Sequence, residues 1–167
     1  MVEACEIQRA ADALASGDLV IMPTDTVYGV AADARIPEAV EKIYAAKGRD
    51  RNKPLPLLVS GLAAAESYGG ILGSAEKTLA EKFWPGALTL VLRMAGNESA
   101  EEAFRVPDNA TALDLLSAAG GLLRVTSANR SGEPPALTAE DAGKALGAAA
   151  AVVLDAGPVT GGAPSTV

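Results

Sequence analysis

The chain has no histidine. That absence excludes a Ser-His-Asp or Cys-His nucleophilic apparatus, and with Cys5 as the single cysteine it leaves a zinc site without its usual ligands. Cys5 has no partner for an internal disulfide and falls in or before a helical stretch, so its expected role is structural or neutral. Long hydrophobic runs are missing too: 49% of the 167 residues are hydrophobic, yet no run of about 18 apolar residues exists to cross a bilayer. No basic-then-apolar leader with a small-residue cleavage site is apparent, and cytoplasm is the expected compartment. Neither a Gly-x-x-x-x-Gly-Lys-Ser/Thr loop nor a Gly-x-Gly-x-x-Gly turn is present, so any nucleotide must be held by another device. Positive charge is scarce as well. A formal net charge of -7 and a pI near 4.6 oppose broad electrostatic adhesion to nucleic acid or anionic membrane, so anion binding has to be local.

Against that acidic background, four cations fall on every second residue of the stretch 47–53: Lys47, Arg49, Arg51 and Lys53. In an extended segment these side chains would point one way and suit a polyanionic ligand. A solvated loop between a helix and a strand accounts for the same pattern.

Helix and strand signals alternate without a linker, so the expected fold class is α/β (α+β), in one domain over residues 1–167. Ile7, Ala10, Ala11 and Leu14 have helix spacing, Gly17 is a stop, and Leu19 to Met22 is a short strand ended by Pro23. A loop over 23–29 precedes a helix whose stripe is Val40, Ile43, Tyr44 and Lys47. Strands are expected over Leu55 to Val59, Leu88 to Leu92, Leu122 to Val125 and Ala150 to Leu154. Ser74 is the expected cap of a helix reaching Phe83, and capping boxes at Thr111–Asp114 and Thr138–Asp141 start two more. Phe83 and Trp84 read as core or turn packing. Polar clusters stand beside these strands at Thr24, Asp25, Thr26 and Tyr28, at Thr126 to Asn129, and at Gly161 to Thr166. Open α/β sheets place ligands at strand ends, although polar turns use the same residue types for their own backbones.

Taken in order, these segments resemble the YrdC/TsaC family of threonylcarbamoyl-AMP synthases. The matching motifs are Pro23 to Gly29 (Pro-Thr-Asp-Thr-Val-Tyr-Gly), Lys47 to Arg49 (Lys-x-Arg) and Lys53 to Leu55 (Lys-Pro-Leu). Downstream stand Phe83-Trp84-Pro85-Gly86 with Leu88-Thr89, Arg105-Val106-Pro107, and Thr126 to Gly132, which carries the Ser-x-Asn signature. The resemblance implies a twisted open mixed sheet flanked by helices around a concave basic cavity. It also implies a reaction of L-threonine, bicarbonate or carbon dioxide, and ATP carrying Mg²⁺, with the product passed to tRNA threonylcarbamoyl-transfer proteins. By the family pattern Lys47 and Arg49 are the catalytic cations. Arg49, Lys53 and Asn129 are implied at ATP, and Thr26, Arg105, Ser127 and Ser165 at L-threonine. Arg51 has no assigned part.

Two departures stand out. Some family members have a histidine where this chain has Leu58, and the family chain continues past its Ser-Thr-Val segment into a strand with an ATP-contacting arginine, so a truncated C-terminus is expected at Val167. Two other readings stay open: a double-stranded RNA-binding module without turnover, which the acidity opposes, and a carbamoyl-AMP-forming relative, whose additional zinc-finger and acylphosphatase parts are not visible.

Overall fold

The computed structural model describes residues 2–167. Helix α1 (Ala4–Ala15) buries Ile7, Ala10, Ala11 and Leu14, the stripe its spacing predicts. The chain turns at Gly17, whose φ of 81° a side-chain-bearing residue rarely adopts, into β1 (Leu19–Met22). Next come β2 (Gly29–Asp33), α2 (Pro37–Lys47), β3 (Leu57–Val59), α3 (Leu62–Ser67), β4 (Gly70–Ile71) and α4 (Ser74–Phe83). The remainder is β5 (Leu90–Met94), β6 (Asn97–Arg105), α5 (Ala110–Ala118), β7 (Leu122–Ser127), α6 (Ala139–Leu146), a 3-10 turn, and β8 (Ala150–Val153).

The strands form one mixed sheet in the order β4-β5-β6-β3-β7-β2-β1-β8. Pairing is parallel between β1 and β8 and between β3 and β6, and antiparallel at the other junctions. Pleating divides the core. Val20, Met22, Ala31, Leu58, Leu123 and Val125 face α1 and α5, while Leu19, Ile21, Val30 and Ala32 pack on α2 and α6. Leu57, Val59, Leu92 and Phe104 pack with Ala65 of α3 and Ala80 of α4. Both faces of the central strands are therefore covered, which is why β1, and β2 as far as Ala32, are apolar or small rather than alternating.

Several local expectations need correction. Asn109, not Thr111, caps α5 by accepting from Ala112 N at 3.0 Å, and Thr111 is buried. Gly73 precedes α4, so Ser74 is its first residue and makes no capping bond. Thr138 does cap α6, accepting from Asp141 N at 3.1 Å. Strand β2 hides in the sequence because its first residue closes the loop reading of 23–29 and Val30-Ala31-Ala32 shows no alternation, and β6 because its residues are largely polar. Phe83 is exposed. The extended basic segment does not form: α2 ends at Lys47, Gly48 adopts φ 61° and ψ 38°, and 49–53 is a turn. Lys47, Arg49 and Lys53 nonetheless come to border one cavity, and Arg51 does not. Arg51 pairs with Glu41 at 2.7 Å in solvent.

Candidate functional site

The loop between β1 and β2 is organised by its own threonine. Thr24 Oγ1 accepts from the backbone N–H of Thr26 at 3.1 Å and of Val27 at 3.2 Å, and donates to Val27 O at 2.6 Å. That turn presents Thr26 Oγ1 to Arg105, which leaves the end of β6. Arg105 is buried at 6% exposure, and its guanidinium donates to Thr26 Oγ1 at 3.0 Å, to Gly86 O at 2.9 Å, and to the Asp25 carboxylate. Burial lowers its pKa and the Asp25 charge opposes that, so the group stays a cation. Tyr28 is not part of this arrangement; it is fully buried and its hydroxyl donates to Gly157 O at 2.7 Å.

The C-terminal segment crosses over this loop. Gly162 N donates to Thr26 O at 2.9 Å, and a Cβ on Gly161 would stand 2.5 Å from Asp25 O. The crossing delivers Ser165, whose hydroxyl is 2.8 Å from that of Thr89, while Thr89 N donates to Thr166 O at 2.8 Å.

Lys47 closes the far side. Its Nζ, on a side chain only 4% exposed as a residue, donates to Asn129 O at 2.5 Å and to Ser127 O. It thereby fastens the end of α2 to the turn after β7, reinforced by Ser131 N donating to Lys47 O at 3.0 Å. Burial, with the nearby Arg49 charge, pushes its pKa down to about 8. Asn129 is fixed in turn, its Nδ2 donating to Arg130 O at 2.9 Å and Glu133 O at 2.7 Å. Arg49 folds back onto its own turn, with Nε 3.1 Å from Lys53 O.

These elements surround a cavity of about 430 Å³ lined by Thr26, Arg49, Arg105, Ser127, Asn129 and Ser165 among others. Lys47 and Lys53 do not line it. They border an adjoining cavity of about 320 Å³ together with Arg49, Ser127 and Asn129. Sequence reasoning therefore named residues that the fold divides between two neighbouring cavities, with Lys47 bonded to the turn after β7 and bordering the second. It also gave no role to Asp25, the ionic partner of Arg105, or to Thr89, the partner of Ser165, although both stand inside quoted motifs. The floor is apolar where Leu58 and Val125 continue from the core, and Asp25 answers the charge of Arg105, so the cavity is less basic than the resemblance implies. Among the described residues no group of three His, Cys, Asp or Glu side chains is placed to hold a metal ion, and no helix is long and apolar enough to cross a membrane.

Comparison with known proteins accords with this frame. A "putative threonylcarbamoyl-AMP synthase" of Mycobacterium tuberculosis is 40% identical over 168 residues, covering 96% of this chain and 77% of that protein. The threonylcarbamoyl-AMP synthase of Bacillus subtilis is 38% identical, and this chain spans 49% of its length. The crystal structure of Pyrococcus abyssi Sua5 complexed with L-threonine superposes on all of this chain and on 51% of its own, with a TM-score of 0.93 at 32% identity. The Sua5/YciO/YrdC family model, described as "Telomere recombination", matches residues 12–167, and the chain belongs to that family.

Proposed function

We propose that this chain is a nucleotidyltransferase that condenses L-threonine, bicarbonate or carbon dioxide, and ATP into L-threonylcarbamoyl-AMP and pyrophosphate, in the cytoplasm, for N6-threonylcarbamoyladenosine formation in tRNA. The observation that carries the reading is the convergence of Arg105, Thr26, Ser127 and Ser165 with Arg49 and Asn129 around one cavity, in a chain 40% identical to a protein named for that activity.

The chemistry needs charge control. Threonine's amine adds to carbon dioxide with loss of a proton; the carbamate oxygen then attacks the α-phosphorus while the bond to the pyrophosphate oxygen breaks. An anion approaches an anion, and two unit charges 4 Å apart repel by about 4 kcal/mol at an effective dielectric of 20. Arg105 supplies the threonine end: its Nε and two further N–H groups are engaged by Gly86, Thr26 and Asp25, which leaves two of its five N–H groups for a carboxylate. Arg49 and Lys53 border the adjoining cavity, where cations would offset phosphate charge. Lys47 contributes by holding Ser127 and Asn129 at the junction. Mg²⁺ would enter on the triphosphate, since the described residues offer no carboxylate cluster of their own. Positioning and electrostatics thus serve in place of a covalent nucleophile. The product would pass to tRNA threonylcarbamoyl-transfer proteins.

The test is radiolabelled bicarbonate with ATP, Mg²⁺ and each amino acid in turn. Threonine-dependent release of pyrophosphate is expected, and Arg49→Ala is expected to lose turnover without loss of fold. Pyrophosphate release that ignores the amino acid, or none at all, overturns the reading.

A further inference from the structure

The segment that carries the cationic turn into the sheet cannot be held there by an ordinary ladder. Between the turn and β3 it reads Lys53-Pro54-Leu55-Pro56, and its two prolines have no N–H to donate to a neighbouring strand. Its carbonyls are gripped instead. Lys53 O accepts from Arg49 Nε at 3.1 Å and Pro54 O accepts from Arg49 Nη2 at 3.2 Å, so Arg49 is placed by where these two oxygens stand. Pro56 O accepts from Val125 N at 3.1 Å. Between them, Leu55 O accepts from the guanidinium of Arg124 at 2.6 Å.

Arg124 belongs to β7 and is itself held by Glu102 of β6. These strands flank β3, and the two side chains meet across the incoming segment: Arg124 Nη1 and Nη2 stand 2.6 and 2.8 Å from the two carboxylate oxygens. The Arg124 side chain is 15% exposed. Burial works against its charge and the Glu102 carboxylate more than offsets that, so the fork is a fixed cation. Neither residue lines the cavity of Arg105 or the adjoining cationic cavity. Pleating is the reason. Leu58 and Val125 face the first cavity, so Arg124 and its cross-strand partner Leu57 face the opposite layer of the sheet.

Resting on the synthase reading, we propose that Arg124, oriented by Glu102, is a positioning residue for the phosphate end of the reaction. It fixes Leu55 O, and with it the two preceding carbonyls that aim Arg49. Arg49 keeps three of its five N–H groups for a phosphate, and their value depends on standing in place before the charge arrives. Arg124 acts from behind the sheet and touches no substrate.

Calorimetric binding of α,β-methylene-ATP with Mg²⁺ tests this, because the bridge between its first two phosphates resists cleavage. The proteins are the wild type, Arg124→Met, Arg49→Ala and the double variant. Arg124→Met should weaken the nucleotide about tenfold when Arg49 is present and less than about twofold when it is absent, since the effect runs through Arg49. L-Threonine should bind Arg124→Met within about twofold of the wild type, because Arg105 is held by Asp25, Thr26 and Gly86 rather than by this pair. A merely structural ion pair gives another pattern: equal losses of nucleotide and threonine, or the same nucleotide loss with and without Arg49. Either result overturns the inference, as does unchanged nucleotide binding by Arg124→Met. Should Arg124→Met fail to fold, Glu102→Gln goes through the same cycle under the same criteria, since it frees the fork while leaving Leu55 O its donor. All these outcomes leave the synthase reading standing. Failure of the wild type to bind the nucleotide overturns that reading, and the inference falls with it.

Discussion

Raising the pH should stabilise this protein through Lys47. The ammonium is buried, and its pKa falls from the ordinary 10.5 to about 8, first through burial and second through the charge of Arg49. Below pH 8 both folded and unfolded chains hold the proton, and the folded state bears the full cost of the buried charge. Between 8 and 10.5 the unfolded chain still binds it while the folded chain has released it, so stability rises with pH. From pH 7 to pH 10 this linkage amounts to about 2.5 kcal/mol, given 1.36 kcal/mol per unit of pKa difference. Other groups titrate over the same range, so the measurement is a difference. Urea unfolding of the wild type and Lys47→Met is followed at pH 7, 8, 9 and 10. With a slope of about 2 kcal/mol per molar, the wild-type midpoint should gain about 1.2 M on that of the variant across the range. The neutral amine keeps two N–H groups for Ser127 O and Asn129 O, so the clasp itself survives deprotonation. A midpoint difference that stays flat, or moves the other way, would show that the two carbonyl dipoles outweigh burial, and the reasoning would fail.

Arg105→Lys keeps the charge but loses the planar fork that reaches Asp25, Thr26 and Gly86 together; calorimetry should show L-threonine binding weakened by about tenfold or more. Arg51→Ala removes an exposed pair with Glu41, so chemical denaturation should detect less than about 1 kcal/mol and turnover should be unchanged. In Gly161→Ala the new methyl carbon meets Asp25 O at 2.5 Å and Thr26 Cα at 2.7 Å. The crossing segment must lift; threonine affinity should fall more steeply than thermal stability, and an unchanged affinity would show that the segment does not shape the pocket.

Much of the helical frame was legible in the sequence because amphipathic spacing survives in single helices, as α1 and α6 illustrate. Strands β2 and β6 were not. One is small and buried on both faces, and the other carries Asn97, Glu101 and Glu102 on its way to Arg105, so neither shows the apolar signature of a strand. The motifs did bring together residues that share a cavity, but they could not reveal which side of the wall each side chain occupies. Lys47 illustrates the limit: its helix stripe pointed inward, and its ammonium spends two of its three N–H groups on the carbonyls of Ser127 and Asn129, a structural part that the Lys-x-Arg motif did not announce. The alternating charges share no extended face because Gly48 turns the backbone, yet Lys47, Arg49 and Lys53 still border a common cavity.

The clasps that define the site share one property: each joins residues far apart in the chain. Lys47 reaches Ser127 and Asn129 across 80 and 82 positions, Arg105 reaches Thr26 and Asp25 across 79 and 80, and Thr89 meets Ser165 across 76. Loops of that length close slowly because their entropy is lost before any contact rewards it. The pocket depends on closing such loops, whereas α1, α2 and the hairpin of β1 and β2 are built from local contacts. A partly folded chain can carry most of its helices and still be blind to substrate. Ligand then acts only on the finished state, raising its population by mass action without helping the earlier steps.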